Sequence, residues 1–255
     1  MPRTAFSTLG CPNADVTEVL HLARIGPTQG IELRCAPGQL ITPETTDTEA
    51  DALAAQLRDA GIEVVCLATY LRVATPTDDA DVARHLELAA RFDAPFVRVF
   101  GGGTEHPDGR RERALETLDR AAELAAAIGV DVALETHDSF PTGAAVADLL
   151  ATVGSPHLGA VWDALHPWRA GEPVAATAAA LGPWLRNVQF KDVASVDDTT
   201  PVLPGHGVLP LDDVRAQLRR LGYTGWISLE WERAWYPEAA PLADALAAFH
   251  QVLDA

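Results

Sequence analysis

Lysine is almost absent from this chain of 255 residues. Lys191 is its only lysine, and the other formally basic side chains are arginines. Lys191 lies two residues beyond Gln189 in a predicted strand, so the two side chains share a face. Arginine cannot replace a compact ammonium whose pKa is tunable. We therefore predict that Lys191 serves a polar pocket, with chance retention as the alternative.

Features of several other protein classes are also scarce. The cysteines, Cys11, Cys35 and Cys66, are odd in number and far apart, which favours neither a disulfide framework nor a zinc cluster. The formal net charge of −17 disfavours a nucleic-acid partner, because phosphate binding needs a basic face. We see no apolar signal core at the N-terminus and no apolar run of about 18 residues. We expect a cytoplasmic protein with no membrane partner.

Strand and helix signals alternate from one end of the chain to the other. The predicted strands are residues 4–9, 30–35, 63–69, 96–100, 130–135, 158–163, 186–191 and 226–231. Helical patterns between them include 47–60, 81–92, 111–128, 212–221 and 240–253. This alternation predicts an α/β fold, a single (β/α)₈ TIM barrel in one domain over residues 1–255, since such barrels take about 250 residues. An open doubly wound sheet is the alternative, but no G-x-G-x-x-G turn follows the first strand.

Four strands in the second half of the chain are predicted to end in a side chain that can bind a metal. These residues are Glu135, Asp163, Gln189 and Glu230. The C-terminal strand ends of a TIM barrel form its active site, so we expect the four to converge. Carboxylates buried together repel one another unless a cation joins them, and an oxygen-rich set suits Mg²⁺ or Mn²⁺. The alternative is a set of rim carboxylates paired with arginines such as Arg98, Arg186 or Arg233.

Other side chains in these segments are candidates for substrate binding. We predict this role for His137, His206, Trp168, Tyr70, Trp235 and Glu232. Trp168 and Trp235 follow strands six and eight, where an aromatic wall could face a bound ligand. His206 lies in a Gly-His-Gly segment that would let the backbone approach a ligand, although a plain turn explains it equally well.

The segments ETHDSF, WDALHP, VQFKDV, GHGVLPL and GWISLEWE resemble those of the xylose isomerase-like TIM barrels, a group of sugar phosphate isomerases and epimerases. The resemblance covers essentially the whole chain. It implies one divalent metal ion, Mn²⁺ or Mg²⁺, held by the four strand-end residues. Gln189 departs from the histidine that sugar epimerases of this group commonly have. In this respect the chain looks more like some 3-dehydroshikimate dehydratases.

The resemblance also implies an enzyme that isomerises or epimerises a sugar, keto-sugar or cyclitol through a metal-stabilised enediolate. Glu135 and Glu230 would be the acid/base pair, His166 would hydrogen-bond a substrate hydroxyl or carbonyl, and Lys191 would stabilise developing negative charge. A lyase on the same scaffold, a dehydratase or a keto-glycoside eliminase, is the alternative. A barrel that only binds a ligand or partner is disfavoured, because no binding role needs this residue set. The partner is then a small polyhydroxy carbonyl substrate, and a homo-oligomer is left open.

Overall fold

The computed structural model describes residues 2–105 and 107–255, which form a closed barrel of parallel strands. The strands are β1 (Arg3–Ser7), β2 (Gly30–Arg34), β3 (Glu63–Arg72), β4 (Phe96–Phe100), β5 (Asp131–Glu135), β6 (Leu158–Asp163), β7 (Leu185–Phe190) and β8 (Trp226–Leu229). Each strand pairs with the next one along the chain, and β1 pairs with β8 to close the barrel. The predicted barrel is confirmed.

Helices follow the strands and cover the outside of the barrel. They are α1 (Val16–Ile25), α2 (Asp47–Asp59), α3 (Asp79–Arg91), α4 (Arg110–Ile128), α5 (Gly143–Val153), α6 (Leu165–Arg169), α7 (Val174–Leu181), α8 (Leu211–Arg220) and α9 (Leu242–Asp254). Local sequence explains their ends. Thr46 and Glu49 form a reciprocal capping box at the start of α2, and Gly129 ends α4 with a φ of 85°. Within the described part of the chain, we find no helix with the length and hydropathy needed to span a membrane.

Alternate side chains of each strand point outward to the helices or inward to the barrel axis. The outward set packs with the helices in the main core. A smaller cluster is formed by Ala5, Val65, Cys66, Ala68, Phe96, Ala133, Val161 and Trp226. Phe96 and Trp226 begin β4 and β8, so their bulk lies at the N-terminal end of the barrel. The C-terminal half of the interior is left to polar side chains, and the candidate site lies there.

Candidate active site

The side chains predicted as metal ligands meet at the C-terminal mouth of the barrel. Glu135 ends β5, Asp163 ends β6, Gln189 is the last residue but one of β7, and Glu230 directly follows β8. Oxygens of the three carboxylates lie within 4.8 Å of one another. All four side chains are buried, so the carboxylates share a volume that excludes most water.

Buried acceptor atoms without a hydrogen-bond donor show that these residues fit a cation. Gln189 Oε1, Glu135 Oε2 and Asp163 Oδ2 have no hydrogen-bond partner, although buried polar atoms normally do. The two carboxylate oxygens have cationic neighbours at 3.1 Å and 2.8 Å, but without hydrogen-bond geometry. Gln189 Oε1 accepts no hydrogen bond from the described residues. The atoms that could bind a metal ion are oxygens, the ligand type that Mn²⁺ and Mg²⁺ prefer.

The single lysine lies among carboxylates at the mouth. Lys191 Nζ is 2.8 Å from Asp163 Oδ2 and 2.6 Å from Glu232 Oε1, and it also contacts Glu230 Oε2. Burial opposes the charge on the ammonium, but the neighbouring carboxylates outweigh it and raise the pKa of Lys191 well above its usual value. Lys191 is therefore a fixed positive charge inside the pocket. β7 ends at Phe190, so Lys191 lies one residue beyond the strand that was predicted to include it.

Arg98 from β4 is the buried counter-ion of Glu135. Its Nε lies 3.1 Å from Glu135 Oε2, and its Nη1 donates to the carbonyl oxygen of Thr69 at 2.9 Å. Burial raises the pKa of Glu135 well above 4.5, and the nearby Arg98 offsets part of that shift. Such a carboxyl exchanges protons at a higher pH than an exposed glutamate does, as acid/base catalysis requires. Arg186, another arginine considered as a partner, instead pairs with Asp131.

A polar layer lies beside the ligands and was missed by sequence reasoning. Glu32 from β2 accepts hydrogen bonds from Gln189 Nε2 at 2.9 Å and from Asn187 Nδ2 at 2.6 Å. Asn187 also bonds to Ser228 of β8. Burial and the nearby Glu230 raise the pKa of Glu32, while hydrogen bonds to its carboxylate lower it. The signal in the sequence was a glutamate inside the buried strand GIELR.

Two histidines lie next to the carboxylates. The ring centroids of His137 and His166 are 4.1 Å apart. One ring nitrogen of each histidine and one carboxylate oxygen of Glu135 lie within 4.8 Å of one another. His166 lies on α6, with Nε2 3.3 Å from Asp163 Oδ2 and no hydrogen-bond partner. His137 Nδ1 lies 2.7 Å from Asp138 Oδ1. The pair supplies hydrogen-bonding groups at the edge of the ligand cluster.

A cavity of about 180 Å³ opens above the carboxylates. Of the predicted substrate-binding residues, Tyr70, His137, Glu232 and Trp235 line it. Tyr70 and Trp235 are 37% and 57% exposed, so they form the outer rim, whereas Lys191 lies deeper. The cavity therefore has a charged floor and an aromatic rim.

The structure does not bring His206 or Trp168 to this cavity. The loop of His206 is held by Asp192, which accepts hydrogen bonds from three of its backbone N–H groups. That loop lines a separate surface pocket together with the end of α9. Trp168 is half-buried on α6 and packs against the main core. Neither residue is among those that line the cavity, and their role in substrate binding stays a prediction.

Comparisons with known proteins agree with the fold. A family model described as xylose isomerase-like TIM barrel matches residues 20–252. A 3-dehydroshikimate dehydratase from Bacillus anthracis is 26% identical over 246 residues, which is 84% of this chain and 85% of that one. A fructoselysine 3-epimerase from Escherichia coli O157:H7 is 31% identical over 153 residues, 57% of this chain and 55% of that one.

Among solved structures, the IolI protein with a bound zinc atom has a TM-score of 0.83 at 18% identity. The match covers 98% of this chain and 96% of that one, and it shows a shared fold. The relatives by sequence are enzymes, and they include a dehydratase, epimerases and isomerases.

Proposed function

Because the chain belongs to the xylose isomerase-like TIM barrel family, we propose that it is a divalent-metal-dependent isomerase or epimerase. Its substrate is a sugar, keto-sugar or cyclitol, and the reaction passes through an enediolate. The observation that carries this proposal is the convergence of buried oxygens of Glu135, Asp163 and Glu230 within 4.8 Å. The buried amide oxygen of Gln189, which accepts no hydrogen bond from the described residues, supports it.

The residues that would hold the metal are Glu135, Asp163, Gln189 and Glu230. A bound divalent cation supplies Lewis-acid stabilisation of the negative charge that develops on the substrate carbonyl oxygen. We prefer Mn²⁺ or Mg²⁺, because the set is all oxygen and the amide of Gln189 suits Zn²⁺ less well.

Glu135 and Glu230 act as the acid/base pair. The hydrogen on a carbon next to a carbonyl is weakly acidic, so a carboxylate must lie close to it. One glutamate takes this proton and the other returns it. Return to the opposite face of the same carbon gives epimerisation, and return to the adjacent carbon gives isomerisation.

Lys191 stabilises the charge that develops as the proton leaves. Its ammonium is held in place by Asp163 and Glu232, so it needs little reorganisation during the reaction. His166 donates a hydrogen bond to a substrate hydroxyl or carbonyl. Tyr70 and Trp235 at the rim provide the aromatic surface against which the carbon skeleton packs.

A lyase is the second candidate, favoured by the dehydratase relative that aligns with 84% of this chain. If the carbon beside the enediolate carries a hydroxyl, a proton given to that hydroxyl releases water and a C=C bond forms. His137 and His166, with rings 4.1 Å apart, are placed to give that proton. The same site therefore serves either reaction.

Solvent exchange tests the proposal and separates its two forms. The metal-loaded protein is incubated in D₂O with ketoses, inososes and 3-dehydroshikimate and followed by ¹H NMR. We expect deuterium at the carbon next to the carbonyl of one compound. Exchange with retention of the hydroxyls supports the isomerase, and loss of water supports the lyase. Exchange with none of the compounds contradicts the proposal for these substrate classes.

A further inference from the structure

Arg34, the last residue of β2, carries a guanidinium that forms no ion pair with a carboxylate of the described residues. The residue is 7% exposed. Its Nε donates to the hydroxyl oxygen of Tyr70 at 2.6 Å. Among residues 2–105 and 107–255, no side chain or carbonyl accepts a hydrogen bond from its two Nη groups. The Nη groups keep some access to solvent, so they can donate to a ligand that reaches them.

The other buried cations at the mouth are neutralised within the chain. Arg98 pairs with Glu135, and Lys191 contacts carboxylates including Asp163 and Glu232. Arg34 differs from both, because no side chain or carbonyl of the described residues accepts a hydrogen bond from its Nη groups. The chain has many carboxylates to offer, with a formal net charge of −17, yet none is paired with this guanidinium within the described residues.

Two aromatic rings fix Arg34 at the rim of the cavity. Its guanidinium carbon lies 5.0 Å from the ring centroid of Tyr70 and 4.8 Å from that of Trp235. Both rings line the cavity above the carboxylates. Ring faces attract a cation but do not replace a counter-charge. The guanidinium therefore lies against two rings that line the cavity, and no carboxylate of the described residues pairs with it.

We propose that Arg34 binds an anionic substituent of the substrate, a carboxylate or a phosphate group. The substrate is then an anionic polyhydroxy carbonyl compound rather than a neutral sugar, an inference that rests on the proposed function for the carbonyl part. The planar fork of Arg34 can donate two parallel hydrogen bonds to two oxygens of one anion. Tyr70 accepts from Arg34, so its own O–H can donate to the same group.

A second cation strengthens the preference for an anion. Arg72 lines the same cavity and is exposed, and its charge acts on the carboxylate of Asp138, which also lines the cavity. Cationic side chains near a pocket attract an anion and orient the rest of the molecule. An anion held at this rim leaves the carbonyl end of the substrate to the deeper carboxylates.

Matched probe pairs test this proposal at equilibrium. The Mn²⁺-loaded protein is titrated calorimetrically with shikimate and its methyl ester, and with D-fructose 6-phosphate and D-fructose. We expect the charged member of at least one pair to bind more tightly. The pair that shows the difference identifies carboxylate or phosphate. If neither charged probe binds more tightly than its neutral partner, the proposal is overturned.

Variants then assign the difference to Arg34. Arg34→Met should weaken the charged probe roughly 10- to 100-fold, the loss expected for hydrogen bonds to a charged group, and leave the neutral probe unchanged. Arg34→Lys should restore part of the difference. Arg24→Met, which removes the same charge from the exposed face of α1, is the matched control and should bind as the wild type does.

Thermal unfolding and the two probe types together separate a binding role from a purely structural one. Arg34→Met loses the hydrogen bond to Tyr70 and two ring contacts, so its unfolding midpoint should fall only slightly. A lowered midpoint with equal weakening of charged and neutral probes would make Arg34 only a clamp for the aromatic rings. If Arg34 discriminates the probes but no compound exchanges deuterium, the proposed function fails and anion binding stands. If a neutral ketose exchanges deuterium and neither charged probe binds more tightly than its neutral partner, the proposed function stands and anion binding fails.

Discussion

The carboxylate of Glu32 accepts a hydrogen bond from the amide nitrogen of Gln189 at 2.9 Å, and the amide oxygen is left without a donor. An ionised carboxylate only accepts, so the nitrogen must face Glu32 and the oxygen must face away. The other oxygen of Glu32 is held by Asn187 at 2.6 Å. Glu32 of β2 therefore sets which atom of the Gln189 amide is available to bind a cation. Such outer contacts commonly orient metal ligands.

Glu32→Gln should weaken Mn²⁺ binding roughly 10- to 100-fold, the range seen when such supporting residues are lost. An amide at position 32 can present its own NH₂ to Gln189, and the side chain of Gln189 is then free to turn. Competition against a fluorescent chelator measures the affinity. Glu63→Gln, the same change at an exposed glutamate at the other end of the barrel, is the control and should leave the affinity unchanged. An unchanged affinity in folded Glu32→Gln would contradict this role.

Removing the carboxylate ligands should remove the metal. Glu230→Gln is expected to weaken metal retention sharply and to abolish turnover, because it takes one charge from a three-carboxylate cluster. Elemental analysis after gel filtration measures occupancy. Glu63→Gln, a change in an exposed glutamate at the opposite end of the barrel, should keep full occupancy. Full occupancy in the Glu135→Ala/Glu230→Ala double variant would rule out the ligand assignment.

Metal identity should follow the all-oxygen ligand set. After chelation, Mn²⁺ or Mg²⁺ should restore more activity than Zn²⁺ at matched occupancy. The structure adds a specific alternative, since His166 Nε2 lies beside Asp163 and has no hydrogen-bond partner. If zinc alone restores activity, His166 replaces Gln189 as a ligand, and His166→Gln should then shift the preference toward Mn²⁺.

Lys191→Met should act on the transition state more than on substrate binding. We expect kcat to fall by about 10²–10³-fold with a modest change in KM, the scale of losing one oxyanion-stabilising donor. Because the ammonium contacts carboxylates of Asp163 and Glu232, the metal-free variant should also unfold at a lower temperature. Mn²⁺ should restore the unfolding midpoint. A raised KM with unchanged kcat would make Lys191 a ground-state anchor.

The barrel and the strand ends follow from sequence because both depend on local patterns. Each β/α unit carries its own strand run and helix period, so eight units predict closure. Glu135, Asp163, Gln189 and Glu230 come directly at the ends of apolar runs, and the structure brings all four together. Periodicity likewise placed Lys191 on the inward face, where it contacts Glu230.

The supporting residues did not follow from sequence, because their roles depend on neighbours distant in the chain. Glu32 lies 157 positions from Gln189, and Arg34 lies 36 positions from Tyr70. The charged residues inside the buried strand GIELR indicate a polar role, but the sequence does not identify their partners. The position of His206 away from the cavity has another cause, since the hydrogen bonds that Asp192 accepts from the loop backbone set the path of its loop.

The most direct test compares deuterium incorporation by one exchanging compound in three samples: Mn²⁺-loaded protein, chelated protein and loaded Glu230→Gln. If proton transfer is carried by the carboxylates of a metal site, only the first sample should exchange, and Mn²⁺ should restore the second. Circular dichroism confirms that all three are folded. Equal exchange in the loaded and chelated samples would contradict the account, because the convergence of Glu135, Asp163 and Glu230 would then have no part in the chemistry.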